Sequence, residues 1–144
     1  MAFIEALADR WRSERVETNG EGTVLDWEKV ALSVGLFRQS GLDQYYRTLN
    51  GMHAGRVDQM LLHFLSLESS VQIFNEWSSA KKQFVLVDYL IYSHYFYVLT
   101  GSRDTSVYVT DGGASRAFAC SFEEFVKKYL VDSASMATAD VLYA

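Results

Sequence analysis

The sequence predicts an α+β domain in which a central antiparallel sheet of about four to six strands is flanked by helices. Between residues 84 and 120, runs of aromatic and β-branched residues alternate with short loops, which cannot join parallel strands. Apolar residues at helical spacing occupy the chain before this region and again directly after it. Together these patterns indicate helices first, then an antiparallel meander, then a closing helix.

The strands of the meander are predicted at 84–91, 95–99, 105–110 and 116–120. The first run is apolar apart from Asp88, and its length and Val content favour a strand buried on both faces. Asp111-Gly112-Gly113 marks the last hairpin, because Asp and Gly tolerate the positive φ that such turns require. A further strand is predicted at 61–67, with one face formed by Leu61, His63, Leu65 and Leu67.

Capping residues and apolar stripes predict five helices. We expect Asp26 to cap the second helix and Ser69 to cap the fourth, while Asn50-Gly51 stops the third, since both residues tolerate the left-handed conformation. Ser121 and Glu124 form a capping box at the start of the closing helix. The stripes are Phe3, Ile4, Leu7, Ala8 and Trp11; Trp27, Val30, Ala31 and Val34; Leu42, Tyr45, Tyr46 and Leu49; Ile73, Phe74 and Trp77; and Phe122, Phe125, Val126, Tyr129 and Leu130.

Length, charge and cysteine content narrow the class of protein. The 144 residues suit one domain, with residues 132–144 expected to form a tail or a short docked segment. The net charge is −5 and no Lys/Arg cluster provides the basic face that nucleic-acid binding needs, whereas a basic partner is electrostatically easier. Cys120, the one cysteine, excludes an internal disulfide and is interpreted as a small buried residue at a strand end.

The sequence predicts neither a membrane span nor a signal peptide. No run reaches the ~18 apolar residues of a membrane span, and the N-terminus lacks the basic region of a signal peptide. We therefore expect a cytoplasmic protein that binds neither membrane nor nucleic acid.

Candidate catalytic and metal-binding residues are few. His53, His63 and His94 lack the paired close spacing of zinc ligands, so no metal or other cofactor is expected. Asp88, Ser93 and His94 form a conceivable hydrolytic triad, but a triad is defined by geometry and the sequence has no G-x-S-x-G elbow. The simpler interpretations of Asp88 are a structural buried aspartate or a residue of a binding groove, because a buried carboxylate is costly without a partner.

Several segments occur in an order that carries a family resemblance. They are Asp26-Trp27 with the helix after it, LDQYYRTLNGMHAG at 42–55, FLSL at 64–67, FVLVDYLIYSHYFYVL at 84–99, and VYV at 107–109 followed by the Asp-Gly-Gly turn and CSFEEFVKKYL. This ordered set, over about residues 25–131, resembles the SUKH superfamily, which includes yeast cell-wall regulators and many bacterial immunity proteins. One departure is Gly41-Leu42, which stands where the family often has Pro.

The resemblance implies a protein-binding role on a SUKH fold. The family implies that many bacterial members bind and neutralise a toxin delivered between cells, and that fungal members act as scaffolds in cell-wall signalling. We therefore expect a non-catalytic immunity protein that occludes the active site of a cognate toxin. Because the chain is acidic, a nuclease with a basic substrate channel would suit it as that toxin. The alternatives are a scaffold or regulatory adaptor and a small hydrolase using Asp88, Ser93 and His94. The oligomeric state is left open between monomer and homodimer. From family-like positions and the interface tendency of Tyr, the expected binding residues are Tyr45, Tyr46, Asn50, Asp88, Tyr92, His94 and Tyr95.

Overall fold

The computed structural model describes residues 2–20 and 26–143. Three helices precede the first strand of a sheet, one lies between its first two strands, and one follows its last strand. The helices are α1 (Ala2–Ser13), α2 (Trp27–Val34), α3 (Ser40–Thr48), α4 (Leu67–Ile73) and α5 (Phe122–Asp132). The strands are β1 (Leu62–Phe64), β2 (Gln83–Tyr89), β3 (His94–Leu99), β4 (Val107–Thr110) and β5 (Ser115–Ala119). A π-helical turn (Phe74–Ser78) continues α4, and two 3-10 helices (Ser133–Ala137 and Ala139–Leu142) follow α5.

The five strands form one antiparallel sheet in the order β1-β2-β3-β4-β5. This confirms the predicted α+β class and the predicted meander. Two bulges interrupt the pairing: Leu86 is the extra residue of β2 against β3, and Phe118 is the extra residue of β5 against β4.

The main core lies between one face of the sheet and the helices α1, α3 and α5. The stripes predicted for these helices supply it, and Trp11, Tyr45, Phe64 and Phe125 are among its fully buried side chains. The predicted caps of α2 and α5 also form, since the Asp26 carboxylate accepts from backbone N–H groups of the first turn and the Ser121 hydroxyl oxygen accepts from the Glu124 N–H.

On the opposite face of the sheet, α4 and the π-helical turn pack against β2, and Trp77 of that turn also packs on Tyr95 of β3. A smaller apolar cluster lies there, formed by Leu65, Ile73, Val85, Tyr95 and Tyr97. We call this the outer face, because no helix packs on its β4 and β5 part in the described chain.

The strand predicted at 61–67 is shorter, and its buried face is the opposite one. Leu62 and Phe64 are buried in the main core, whereas Leu61 is 44% exposed. The chain leaves the strand at Leu65, because Ser66 caps α4 by accepting from the Ser69 N–H. The predicted cap at Ser69 is therefore wrong by three residues, and the indole of Trp77, expected to face inward, is 37% exposed.

Residues 133–143 pack on the molecule, so the expectation of a tail is wrong and the alternative of a docked segment is correct. Met136, Val141 and Leu142 are buried in the main core. Two side chains of the sheet bind the backbone of this segment: His94 Nε2 lies 2.7 Å from the Met136 carbonyl oxygen, and Arg116 Nε donates to the Val141 carbonyl at 2.6 Å.

Candidate functional site

An open groove of about 400 Å³ lies where β1 meets the turn between β2 and β3. Its apolar lining is unusually accessible: Ile91 is 92% exposed, Leu90 47%, and Val57 and Leu61 are also exposed. Its polar lining comprises Arg56, His63 and Asp88. We call this feature the Asp88 groove. Contiguous exposed apolar side chains of this kind mark binding surfaces more often than single ones do.

The turn that carries Leu90 and Ile91 is strained. Leu90, Ile91 and Tyr92 have φ values of 46°, 49° and 65°, so three consecutive residues other than glycine are left-handed. This conformation costs about 1–2 kcal/mol per L-residue, and it is especially rare for a β-branched residue. The turn is closed by Ser93, whose N–H donates to the Tyr89 carbonyl at 2.9 Å. In this conformation Ile91 lies in solvent and gains little packing. Backbone strain without a packing benefit is typical of a functional position.

Asp88 lies on the outer face, opposite His63 on β1 and Tyr95 on β3. Its side chain is partly buried, yet among the described residues it makes no hydrogen bond or ion pair of its own. Burial raises the pKa of Asp88 above its ordinary value, and the nearby His63 ring offsets only part of this effect. His63 is itself engaged, because its Nδ1 donates to the Arg56 carbonyl oxygen. The groove therefore contains a carboxylate that has lost part of its hydration without gaining a hydrogen bond or an ion pair.

Aromatic side chains continue the surface beyond Asp88. Trp77 packs edge-on against Tyr92 and Tyr95, with ring centroids 5.7 and 5.6 Å apart. Burial, together with the charges of Asp88 and Glu76, raises the pKa of Tyr92 to about 12, so its hydroxyl stays protonated at neutral pH. Trp and Tyr beside an unpaired charge are typical of the central part of protein interfaces.

Three of the predicted binding residues lie inside the protein, so their prediction as interface residues is wrong. Tyr45 and Tyr46 point from α3 into the main core and are fully buried. Asn50 is also buried, and its amide joins two elements: Oδ1 accepts from the Leu67 N–H at 2.8 Å and Nδ2 donates to Glu68 at 3.0 Å. The helical stripe shows which side of α3 faces inward, but it does not show how completely each of these side chains is covered.

His94 and Tyr95 have different positions from those expected. His94 is buried on the core side, stacked on Tyr89 and bound to the Met136 backbone, so its prediction as an interface residue is also wrong. Tyr95 is buried on the outer face beneath Trp77, and its hydroxyl donates to Gln83 Oε1 at 2.8 Å. Of the predicted set, only Asp88 lines the groove, and Tyr92 lies half-buried beside it.

The structure does not bring Asp88, Ser93 and His94 together as a triad. Asp88 pairs with Tyr95 in the strand register, so it shares the outer face with that residue, whereas the adjacent His94 points to the core. The Ser93 hydroxyl donates to the Leu90 carbonyl at 3.0 Å. The hydrolase alternative therefore lacks a converging nucleophile and base. Within residues 2–20 and 26–143, no three His, Cys, Asp or Glu side chains cluster in a way that would hold a metal ion.

Cys120 is exposed, which corrects the expectation of a buried thiol. Its Sγ donates to Glu124 Oε2 at 2.6 Å, and this hydrogen bond to a carboxylate raises the pKa of the Cys120 thiol. A neutral thiol is a poor nucleophile, so the helix N-terminus does not activate it.

A second groove, of about 440 Å³, runs beside α5 and includes Phe118 and Val131. Its basic side chains are already paired: Lys127 with Glu123 at 3.2 Å, and Lys128 with the Phe118 carbonyl oxygen at 2.5 Å. The Asp88 groove differs in holding an unpaired and partly desolvated charge, and we therefore take it as the candidate site.

Sequence reasoning missed Leu61, Leu90, Ile91 and Trp77. A signal was present for two of them, because the turn after β2 contains no Gly, Asn, Asp or Pro and its apolar residues have no packing reason to be there. Leu61 and Trp77 gave no such signal, since both fit an apolar stripe.

Comparison with known proteins finds no matching family model and no matching curated protein. No helix in the described part of the chain has the length and apolar character needed to cross a lipid bilayer.

Proposed function

We propose that this chain is a non-catalytic protein-binding domain that acts as an immunity protein and inhibits a toxin by covering its active site. The observation that carries the proposal is the unpaired carboxylate of Asp88 within a groove of exposed apolar side chains. A partner that covers the groove would remove exposed Ile91 and Leu90 from water and supply the missing polar contact of Asp88.

The shape and lining of the groove favour a protein over a small molecule. Its most accessible residue, Ile91, projects from a turn and is almost fully exposed, and the aromatic side chains of Trp77 and Tyr92 lie beside the groove. Small-molecule sites are instead concave and enclose most of the ligand surface.

The toxin as partner is supported by two sequence features. The ordered motifs between about residues 25 and 131 resemble those of the SUKH superfamily, many of whose bacterial members neutralise toxins. The net charge of −5 favours association with a basic protein, and nucleases are basic around their substrate channel. A scaffold or adaptor of the same fold would use the same groove, but it would not relieve the toxicity of an adjacent gene product.

A growth assay in a neutral bacterial host tests the proposal. The adjacent gene is induced alone, then together with this chain, and we expect toxicity that the chain relieves. Two variants locate the interface: Ile91→Asn removes an exposed apolar side chain of the groove, and Val131→Asn removes an equally exposed one from α5. We expect Ile91→Asn to weaken the isolated complex about tenfold and Val131→Asn to leave it unchanged.

Three outcomes would count against parts of the proposal. Absence of toxicity from the adjacent gene would favour the adaptor. Toxicity without rescue would exclude this pairing, and rescue with equal affinity for Ile91→Asn and wild type would place the interface outside the Asp88 groove.

A further inference from the structure

We propose that the Asp88 groove binds an arginine side chain of the partner, flanked by apolar residues of the same partner segment. This inference rests on the proposed protein-binding function and names the chemistry of the partner's contacting segment. It follows from three features: the charge of the groove, its apolar rim, and the aromatic ring of Tyr92 beside it.

The charge of the groove is set by Asp88. Its carboxylate is partly buried and unpaired, while the other charged lining residue, Arg56, is exposed and remains hydrated at the rim. Glu76 lies near enough to contribute, after burial and Asp88, to the raised pKa of Tyr92, although its carboxylate already accepts a hydrogen bond from Gln72 Nε2 at 3.0 Å. A cation is therefore the group that gains most from entering, because an unpaired buried carboxylate is unfavourable until it is paired.

The surroundings of Asp88 favour arginine over lysine. A guanidinium is more weakly hydrated than an ammonium, can bind a carboxylate through two N–H groups, and stacks on aromatic rings. Tyr92 is near enough to Asp88 for the carboxylate to help raise the pKa of its hydroxyl, so it offers an aromatic ring beside the charge, whereas the Trp77 ring already has Lys81 Nζ 5.4 Å from its centroid. A lysine would lose more hydration at a half-buried site and would make no planar contact.

The rim of the groove specifies the neighbours of the arginine. Leu61, Leu90 and Ile91 are exposed around the carboxylate and offer apolar area on either side of it. An extended partner segment with a Leu-x-Arg-x-Leu pattern has all three side chains on one face, so it would cover this area and place its guanidinium at Asp88.

Heteronuclear NMR with the peptide acetyl-Leu-Ala-Arg-Ala-Leu-amide tests the inference without any toxin. The control peptide replaces arginine with citrulline, which keeps the shape of the side chain and removes its charge. We expect the arginine peptide to shift the amide signals of His63, Asp88, Leu90 and Ile91, and the citrulline peptide to bind about tenfold more weakly.

Two charge variants serve as matched controls. Asp88→Asn should abolish the preference for arginine over citrulline, whereas Glu5→Gln, which removes an equal charge from the exposed side of α1, should leave it intact. Equal binding of the two peptides, shifts confined to other regions, or no shifts at all would overturn the inference.

Failure of the inference is distinguishable from failure of the proposed function. If the chain rescues growth but does not prefer the arginine peptide, the immunity role is supported and the arginine site is excluded. A chain that prefers arginine at Asp88 but rescues no toxicity would keep the arginine site and lose the immunity role.

Discussion

At the scale of single residues, two buried tyrosines differ in what their hydroxyl groups contact. The Tyr129 hydroxyl donates to the buried carboxylate of Asp58 and accepts from Trp11 Nε1 at 3.0 Å. The Tyr45 hydroxyl has no hydrogen-bond partner among residues 2–20 and 26–143, although it is fully buried. Burial raises the pKa of both groups well above the ordinary value, so both stay neutral.

Removing these hydroxyl groups should therefore have unequal effects. Tyr129→Phe leaves Trp11 Nε1 unpaired and takes one donor from Asp58, and we expect it to lower the free energy of unfolding by about 1–3 kcal/mol. Tyr45→Phe removes an unpaired polar group, and we expect stability to stay the same or rise. Urea denaturation measures both, and a Tyr45→Phe variant as destabilised as Tyr129→Phe would contradict the account.

Two aspartates should contribute to stability with opposite dependence on pH. Burial raises the pKa of Asp88, so its charged form destabilises the fold, and this cost disappears as pH falls below about 4. A hydrogen bond from the Tyr108 hydroxyl lowers the pKa of Asp104, so its charged form stabilises the fold, and this gain is lost as pH falls through the lowered pKa.

Neutral variants of the two aspartates test these signs. At pH 7, Asp88→Asn should be more stable than wild type and Asp104→Asn less stable, and both differences should shrink toward acid pH. The measurement is a series of urea unfolding curves between pH 3 and 7. A destabilised Asp88→Asn at pH 7 would show that the carboxylate has a favourable partner in the free protein.

At the scale of elements, the turn between β2 and β3 combines backbone strain with exposure. Ile91→Asn replaces a left-handed β-branched residue with one that tolerates this conformation, and because Ile91 is 92% exposed the change removes little packing. We expect the free energy of unfolding to rise by about 0.5–1 kcal/mol. Val131→Asn is the control, since Val131 is 87% exposed but lies in a regular helix, and it should give no such gain.

The same variant links stability to binding. Ile91→Asn should be more stable than wild type but weaker in partner binding, which is the signature of a residue kept for function at the expense of stability. A variant that loses both stability and binding would show instead that Ile91 supports the fold.

Both edges of the sheet are obstructed. On the β1 side the preceding loop lies against the strand, where the Met52 N–H donates to the Phe64 carbonyl at 2.9 Å. Gly51 permits this approach, because a Cβ there would lie 2.4 Å from the Leu65 carbonyl oxygen. On the β5 side the bulge at Phe118 turns a carbonyl toward Lys128, which binds it. Bulges at a sheet edge oppose strand pairing with another chain.

At the scale of the whole molecule, the segment after α5 closes the core. Met136 is fully buried, and its backbone carbonyl receives the His94 side chain. We expect Met136→Ala to lower the free energy of unfolding by about 2–5 kcal/mol through loss of burial and creation of a cavity. Tyr143→Ala is the matched control in the same segment, because Tyr143 is 74% exposed, and it should change stability by less than about 0.5 kcal/mol. Equal and small effects would mean that the segment is dispensable.

Much of the fold could be predicted because its signals are local. The caps at Asp26 and Ser121, the stop at Asn50-Gly51 and the hairpin turn at Asp111 each depend on residues within one turn of the chain. The stripes of α1 and α5 repeat over two or three turns, so their buried faces were also predicted correctly.

The candidate site was decided by the tertiary structure. Local pattern singled out Asp88 as a polar interruption of an apolar strand, but only the pairing of β1 with β2 places Leu61 and His63 beside it. The pattern equally favoured Tyr45 and His94, and long-range packing buried both. Periodicity identifies the faces of an element, whereas exposure depends on what packs over each face, and those contacts join residues far apart in the chain.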